Sequence, residues 1–277
     1  MPLYRRLSPT SVLVALALSG LGACTRGFQI NQFASSPATL YAAGMREYER
    51  KHWDNAVAAF EKLTLELPAR DTLLPRAHFY LGRAHARRGE NLLAAQSFSR
   101  LVESFPDDTL ADDALVEAGD AYRRLWRKPV LDAQYGQTAM ETYRTLLSLY
   151  PNSPLRDRAT KGIAQLEEMM AAKDYNAGMF YLRRKAYDSA IIYLRDVTRS
   201  FPDTPTARKS YLRLVDAYRA INYKEDITEV CGEMRQSYPN DAEVQRACGP
   251  GPTASAPPTG PPARDSAPPP PSGQPRS

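Results

Sequence analysis

A single spacing recurs five times in this 277-residue chain and limits what the chain can fold into. In each copy a small or apolar residue is followed four positions later by a second, usually larger one, and eight positions after that by a proline. Proline cannot continue a helix, so each copy predicts a helix that stops at its proline, and self-similarity at a regular period indicates a stacked repeat fold. The copies end at Pro68, Pro106, Pro151, Pro202 and Pro239.

The second copy is the most complete. Leu81, Gly82, Ala94 and Phe98 stand at the positions of the tetratricopeptide (TPR) pattern L-G…A-x-x-x-F…P. Glycine and alanine are expected where paired helices approach too closely for a larger side chain, and the phenylalanine is expected to fill the space beside them. The sequence therefore predicts an all-α fold, a TPR helical solenoid of about five helix-turn-helix units over residues 38–248.

The middle of the array is irregular. Gly119 and Ala139 are 20 residues apart where other copies show 12, an insertion of eight residues that predicts a loop containing Gln134–Gly136. Arg156–Met170 carries apolar residues at helical spacing, which predicts an additional amphipathic helix. The fourth unit is then expected to begin near Ala171.

The N-terminus predicts a lipoprotein signal peptide over residues 1–23. A positively charged start is followed by Val12–Leu21, an apolar stretch too short to span a bilayer. Leu21–Cys24 then resembles the lipobox cut by lipoprotein signal peptidase, in which the thiol of Cys24 takes up the lipid. An ordinary signal peptide followed by a chance cysteine is the alternative.

The residues after the lipobox predict where the protein is held. Thr25 stands where an aspartate would retain a lipoprotein in the inner membrane of enteric bacteria, so the outer membrane is expected. Several acyl chains on one cysteine anchor a protein firmly without spanning the bilayer. Residues 24–37 lack periodicity and are expected to form a lipidated tether between the membrane and the repeats.

The far end of the chain carries two further cysteines and a proline-rich tail. Cys231 occupies the position of a large packing residue in the fifth copy, which favours a free thiol there and at Cys248, although an oxidising periplasm leaves a disulfide open. Of the last 29 residues, 11 are proline and none is aromatic or a large aliphatic residue. Residues 249–277 are therefore expected to be a disordered tail.

Composition and motifs argue against catalysis. The chain has three histidines, and His78 and His85 would lie about 10 Å apart along one helix, too far to share a metal easily. No phosphate-binding glycine loop or nucleophile elbow is present, and a net charge of +5 without an aromatic-interleaved basic patch does not indicate nucleic-acid binding. We expect no enzyme activity, no metal and no cofactor beyond a covalent lipid on Cys24.

Two turns add a family resemblance to the lipobox and the repeats. Tyr150–Ser153 (YPNS) and Phe201–Ala207 (FPDTPTA), within the stretch Met140–Ala217, resemble turns of the BamD family, the lipoproteins of the bacterial β-barrel assembly machinery (BAM complex). The resemblance covers roughly residues 38–247, and the proline-rich tail departs from it. It implies a non-enzymatic scaffold, lipid-anchored on the periplasmic face of the outer membrane.

The resemblance also implies partners. C-terminal repeats of the family join the POTRA domains of the insertase BamA, alongside other BAM lipoproteins, and N-terminal repeats are thought to receive unfolded outer-membrane β-barrel proteins. A periplasmic TPR lipoprotein that coordinates cell-wall synthesis or acts as a secretion pilot is the alternative.

Candidate binding residues follow from the concave positions of TPR helices. An aromatic and basic face would suit an apolar strand that ends in a carboxylate, although a solvated basic face with packed aromatic rings is the alternative. The candidate groove residues are Tyr41, Tyr48, Arg76, Phe79, Arg83 and Arg87. The candidate BamA-facing residues, chosen because arginine often anchors interfaces, are Arg183, Arg195, Lys209 and Arg219.

Overall fold

A computed structural model describes residues 28–33 and 36–249. The predicted signal peptide, the lipidation site Cys24 and residues 250–277 of the predicted tail lie outside the described residues. Within the described part the chain is all-α, with eleven α-helices, one short 3-10 helix and no strand, as predicted. No helix in those residues is both long enough and apolar enough to cross a bilayer.

Helices that are adjacent in sequence pack together in pairs, and the second helix of each pair ends just before a repeat proline. The helices belong to two compact units, residues 1–170 and 171–277. The bounds are α1 Pro37–Glu49, α2 Trp53–Glu66, α3 Leu74–Arg88, α4 Asn91–Ser104, α5 Ala111–Leu125, α6 Gln134–Leu149, α7 Arg156–Arg183, α8 Tyr187–Ser200, α9 Pro205–Ala220, α10 Lys224–Ser237 and α11 Ala242–Cys248.

Close contacts between paired helices explain the repeat spacing. A Cβ atom added to Gly82 would lie 2.8 Å from the ring of Phe98, and one added to Gly119 would lie 2.5 Å from the ring of Tyr143. Both aromatic side chains are fully buried. In the first four copies the glycine and the large residue therefore fit together across the helix pair. Truncating the ring of Phe98 or Tyr143 to alanine is expected to cost about 3–5 kcal/mol.

Four helices end in the same left-handed turn. Lys51, Gly89, Lys185 and Asn222 have φ values of 63°, 81°, 61° and 62°. In each case the next residue's N–H donates to the carbonyl five positions back, as His52 does to Glu47 at 2.9 Å. This 6→1 bond satisfies a carbonyl at the helix end and turns the chain sharply into the second helix of the pair.

The long helix α7 corrects the predicted arrangement in the middle of the chain. Arg156–Arg183 is one continuous helix of 28 residues, so the prediction of a separate additional helix over Arg156–Met170 is wrong. No proline interrupts this stretch, and its centre, Met169–Ala172, consists of good helix formers. The second compact unit does begin at Ala171, where the fourth repeat was predicted to start.

The insertion in the third unit forms a loop, residues 126–133. This loop does not extend freely away from the helices, because its first residue packs into them. Trp126 is only 1 % exposed, covers Gly136 and donates its indole N–H to the carbonyl of Leu131 at 3.3 Å. Gln134–Gly136, predicted to lie in this loop, instead form the first turn of α6.

The predicted tether is shorter than expected. Phe28, Ile30 and Phe33 pack against the core formed by α1 to α3, and the rings of Phe28 and Phe33 stack with centroids 5.6 Å apart. Ser36 is the N-cap of α1, where its side chain accepts from the N–H of Thr39. The prediction of a free tether over residues 24–37 is therefore wrong for residues 28–33 and for the helix start, because aromatic residues in this segment bury their rings.

The expectation of free thiols is also wrong. Cys231 and Cys248 form a disulfide with Cα atoms 5.5 Å apart. The short helix α11 folds back on α10 and α9, with Val244 buried between them, and this brings the last cysteine to the buried one. The sequence separation of 17 residues gave no sign of that return.

Candidate functional site

Aromatic side chains of α1 and α3 form a cluster in unit 1. The ring of Tyr80 lies 6.3 Å from Tyr41, 5.6 Å from Tyr48 and 5.7 Å from Phe79, measured between centroids. We call these four residues the aromatic cluster. Tyr41, Tyr48 and Tyr80 are half-buried, whereas Phe79 is only 7 % exposed and belongs mainly to the core. Position counting missed Tyr80, which connects the other three.

Arg83 joins this cluster to a basic surface. Its guanidinium carbon lies 5.9 Å from the ring centroid of Tyr48 and 5.7 Å from that of Phe79. Such cation–π contacts are worth about 0.5–1 kcal/mol each at partly exposed sites. Among the described residues, no carboxylate lies within 4 Å of the Arg83 guanidinium, so the rings orient the side chain and leave its charge unpaired.

The basic surface is concave. A hollow of about 370 Å³ opens beside Arg83, and we call it the arginine hollow. Arg87 and Arg124, like Arg83, have no carboxylate within 4 Å in the part of the chain that the structure describes. The residues that line the hollow are Arg83, Ala86, Arg87, Glu117, Arg124 and Arg158. Three unpaired guanidinium groups in one concavity favour an anionic ligand, and a carboxylate fits their geometry.

A polar network supports the far wall of the arginine hollow. Asp120 is 7 % exposed, accepts from the Tyr143 hydroxyl at 2.5 Å and from Arg123 at 3.3 Å, and also accepts from Arg158. Arg158 in turn binds Glu117 at 3.1 Å. The side chain of Arg158 is therefore fixed from two sides, and it lines both the arginine hollow and a second hollow of about 340 Å³ beside Asp120.

The charges of this network shift the pKa of its members. Burial alone would raise the pKa of Asp120, but the hydrogen bonds from Tyr143 and Arg158 and the nearby positive charges outweigh burial and lower that pKa. Burial and the Asp120 carboxylate raise the pKa of Tyr143. Burial also raises the pKa of Asp113, with further repulsion from neighbouring carboxylates, and Arg158 and Arg83 oppose that rise. Asp120 is thus the ionised anchor of the network at neutral pH.

The remaining candidate groove residues lie at the edges of this surface. Arg87 is exposed at the arginine hollow, while Arg76 is exposed near Tyr41, where its charge partly offsets the rise in the pKa of Tyr41 caused by burial and Tyr80. Five of the six candidate groove residues therefore belong either to the aromatic cluster or to the arginine hollow. Arg158 and Arg124 complete the hollow; Arg158 comes from α7, which counting within regular repeats does not cover.

The candidate BamA-facing residues of unit 2 differ in whether their charged groups already have partners within the protein. The side chain of Arg195 is 11 % exposed and binds Glu233 at 3.1 Å and Glu229 at 3.0 Å. Arg219 donates to the backbone carbonyl of Ala247. Arg183 and Lys209 are exposed and have no ion pair among the described residues. Of these four, only Arg195 lines the groove along α8, α9 and α10 that is described next.

Unit 2 has a groove with apolar and charged side chains that sequence reasoning did not find. It has a volume of about 610 Å³ and lies along α8, α9 and α10, and we call it the α8–α10 groove. Ile192 is 68 % exposed and Tyr193 36 % exposed. Tyr193 stacks on Tyr181 at 5.5 Å, and Arg184 lies 3.6 Å above the ring of the exposed Phe180. Exposed large apolar side chains in one place are typical of an interaction surface.

Comparison with known proteins decides the family. A family model described as YfiO, an outer membrane lipoprotein, matches residues 33–231, well over half of the chain. This chain belongs to the YfiO family of outer membrane lipoproteins. The YfiO match includes the aromatic cluster, the arginine hollow and the α8–α10 groove, so all three surfaces lie in the part that the family shares. The resemblance to the BamD family is confirmed by relatives that carry that name.

Two relatives are named outer membrane protein assembly factor BamD. The one from Vibrio cholerae is 32% identical over 96 residues, 35% of this chain and 40% of the relative. The one from Rickettsia prowazekii is 21% identical over 240 residues, 83% of this chain and 92% of the relative. Among solved structures, a TPR repeats protein from Bacteroides fragilis is 14% identical over 77% of this chain and 96% of that protein, with a TM-score of 0.46.

No metal centre emerges from the described residues. They contain no group of three or more histidine, cysteine, aspartate or glutamate side chains placed to hold a metal ion. His85 is buried and its Nδ1 lies 2.7 Å from Glu90, a pair that connects α3 to the start of α4. The surfaces described above present apolar and cationic groups.

Proposed function

We propose that this protein is an outer membrane protein assembly factor, a lipid-anchored scaffold of the BAM complex on the periplasmic face of the outer membrane. It binds unfolded β-barrel proteins through unit 1 and the POTRA region of BamA through unit 2, beside other BAM lipoproteins. Membership of the YfiO family and the names of the relatives support this role. The observation that carries the proposal is the aromatic cluster directly beside three unpaired arginines.

The chemistry of unit 1 fits the end of an unfolded barrel strand. Such a strand alternates apolar and polar side chains, and its C-terminus is a carboxylate. The half-buried rings of Tyr41, Tyr48 and Tyr80 offer apolar contact, and Arg83, Arg87 and Arg124 offer bidentate hydrogen bonds to the carboxylate. Binding of this kind needs no cofactor, only the lipid on Cys24 that keeps the protein at the membrane.

The chemistry of unit 2 fits a folded partner. In the α8–α10 groove, apolar Ile192 and Tyr193 lie beside Arg195, Arg199 and Asp196, so the groove combines apolar and charged side chains. Interfaces between folded proteins commonly have this composition. We therefore place the BamA contact in this groove and the adjacent exposed arginines.

The test is site-specific photo-crosslinking in membranes, with the photoreactive residue at Arg87, at Ile192 and, as a control, at Leu65, an apolar residue of α2 that is 85 % exposed. We expect unfolded barrel proteins at position 87, BamA at position 192 and neither at position 65. Recovery of cell-wall synthases or a secretin instead of BamA would contradict the proposal and favour a cell-wall or secretion role.

A further inference from the structure

The small number of residues between Cys24 and Phe28 limits how far the body can lie from the membrane. Phe28 is already part of the folded body, so only Thr25, Arg26 and Gly27 separate it from the lipidated cysteine. At no more than about 3.6 Å per residue, the Cα atom of Phe28 lies within about 14 Å of that of Cys24. This step rests on the lipidation of Cys24 in the proposed function. A free tether over residues 24–37 would have allowed a distance more than three times as long.

The surface around Phe28 contains a cavity of about 820 Å³, between the segment 28–33 and the turn from α1 to α2. Phe28, Phe33 and Trp53 provide its aromatic lining. The half-buried Trp53 packs edge-on against Tyr48, with centroids 5.2 Å apart, and remains open on its other side to the cavity. Aromatic side chains of this kind are favoured where a protein meets the interfacial region of a bilayer.

Three cations surround these rings. The guanidinium of Arg46 lies 5.7 Å from the ring centroid of Phe33. Arg50 has a side chain that is 65% exposed, and Lys51, at the left-handed turn, is exposed and has no ion pair among the described residues. We call Arg46, Arg50, Lys51 and Trp53 the anchor-proximal surface. Arg88 also lines the cavity, but Asp54 and Glu90 already pair with it at 3.0 and 3.1 Å.

The turn that presents these cations is rigidly built. Glu47 is 8% exposed and accepts from the Asn55 side chain at 2.7 Å, with His52 Nδ1 at 3.0 Å and Arg50 at 3.5 Å. The 6→1 backbone bond from His52 to Glu47 closes the same turn. Lys51 therefore stands at a fixed tip of the body, and not on a mobile loop.

We propose that the anchor-proximal surface rests on the bilayer, with Arg46, Arg50 and Lys51 binding the phosphates of anionic phospholipid headgroups and Trp53 at interfacial depth. Long basic side chains reach headgroups while their aliphatic stems cover apolar surface. Each cation near an anionic surface strengthens membrane binding roughly fivefold. The lipid and these four side chains then attach the protein to the membrane together. Unit 1 is therefore held in a defined orientation on the bilayer and does not rotate freely about the lipid anchor.

The test uses the full lipidated protein in vesicles of phosphatidylcholine with or without phosphatidylglycerol, some carrying brominated acyl chains that quench tryptophan. The chain has two tryptophans, and Trp126 is only 1 % exposed, so quenching reports on Trp53; a Trp53→Phe variant checks this assignment. We expect strong quenching in anionic vesicles and a large loss of it in the Arg46→Gln/Arg50→Gln/Lys51→Gln variant. Without the lipid, the same variant should bind anionic vesicles about 100-fold more weakly than the unlipidated parent.

A matched control comes from the equivalent turn in unit 2. Lys185 has the same left-handed conformation as Lys51, and Arg184→Gln/Lys185→Gln removes two cations from that turn. This variant should keep the quenching of Trp53. Lys51→Gly removes one cation from a position where glycine is favoured, so a partial loss of quenching in this variant cannot arise from misfolding.

Flotation of the vesicles separates the two proposals. Protein that fails to float with vesicles lacks its lipid anchor, which overturns both the anchoring and this inference. Protein that floats with equal Trp53 quenching in parent and triple variant, or with none in either, overturns only the headgroup contact. A change in Trp53 fluorescence on adding soluble glycerol phosphate, equal to that caused by vesicles, would assign the cations to a free phosphate and also overturn it.

Discussion

In unit 1, the guanidinium groups of Arg83, Arg87 and Arg124 lie at a concave hollow with no carboxylate within 4 Å among the described residues. In unit 2, Arg195 bridges α8 to two glutamates of α10, and Arg208 bridges α9 to the residues that begin α11. These two arginines thus connect helices in unit 2, whereas the three at the hollow in unit 1 stay free. Paired arginines fix a surface, whereas unpaired arginines in a hollow leave it able to bind an anion.

The largest expected effect tests the buried carboxylate in unit 1 that pairs with two arginines, Arg123 and Arg158. Asp120→Asn leaves Arg123 and Arg158 without their buried carboxylate, and we expect a loss of about 3 kcal/mol in the free energy of unfolding, measured by urea denaturation. Glu117→Gln, which removes a more exposed partner of Arg158 only, should cost about 1 kcal/mol or less. Equal losses in both variants would show that burial of Asp120 is not what matters.

The Asp120 effect also has a pH dependence with a definite sign. Because the pKa of Asp120 is lowered in the folded protein, its contribution is complete above the ordinary carboxyl pKa of about 3.9 and is lost as the pH falls through the folded value. The difference in stability between the parent and Asp120→Asn should therefore be constant from about pH 5 to 8 and shrink below about pH 4. A difference that grows on acidification would contradict this assignment.

The second prediction removes the free arginines. Arg83→Gln/Arg87→Gln/Arg124→Gln should raise the Kd for a peptide from the C-terminal strand of a barrel protein about 100-fold, with little change in Tm, because hydrogen bonds to a carboxylate are charge-assisted. Fluorescence anisotropy measures the affinity. The control triple Arg70→Gln/Arg100→Gln/Arg127→Gln changes exposed arginines of the same unit. If both triples weaken binding equally, the attraction is general electrostatics and the arginine hollow has no special role.

The third prediction concerns a paired arginine of unit 2, whose loss should lower stability without changing peptide binding. Arg195→Met removes a largely buried pairing residue, and we expect a loss of about 1–2 kcal/mol in unfolding free energy, since its glutamate partners are themselves partly exposed. The peptide Kd should not change. Arg199→Met, at an exposed position of the same helix, should leave stability within about 0.5 kcal/mol. A weaker peptide affinity in Arg195→Met would mean that unit 2 also binds the strand.

The smallest expected effect concerns a cation that is neither paired nor in the hollow. Lys185 has a φ of 61°, where a side chain is unfavourable, so Lys185→Gly should raise the unfolding free energy by up to about 1 kcal/mol. Lys209→Gly, within α9, should lower it by about 1 kcal/mol. Thermal unfolding of the two variants in parallel gives the comparison, and a destabilised Lys185→Gly would indicate that the lysine side chain makes a contact of its own.

Sequence reasoning succeeded where the signal was local and repeated. A helix ended just before each repeat proline, and the glycine twelve positions before the small residue marked a contact with no room for a Cβ atom, as at Gly82 and Phe98. Five of the six candidate positions, Tyr41, Tyr48, Phe79, Arg83 and Arg87, lie at the aromatic cluster or the arginine hollow because the repeat fixes which helix face is concave. Their role in binding stays a prediction.

What the sequence did not indicate depends on contacts between distant residues. Arg158 reaches the arginine hollow from α7, and its place follows from Asp120, 38 residues earlier. The disulfide requires α11 to fold back, and the burial of Phe28 requires a core that local patterns do not describe. The continuity of α7 was missed because a repeat count assumes a break that no residue in the sequence enforces.

Trp126 has a practical consequence for work on this protein. Its buried indole and its bond to the Leu131 carbonyl close the base of the loop of the third unit, while Val130 at the tip is 79 % exposed. An exposed loop residue tolerates substitution or insertion when buried contacts hold the ends of the loop, because the change does not alter the packing of the helices. A fluorophore, an affinity epitope or a cleavage sequence inserted at Val130 should therefore leave both surfaces of unit 1 intact and make the protein traceable in living cells.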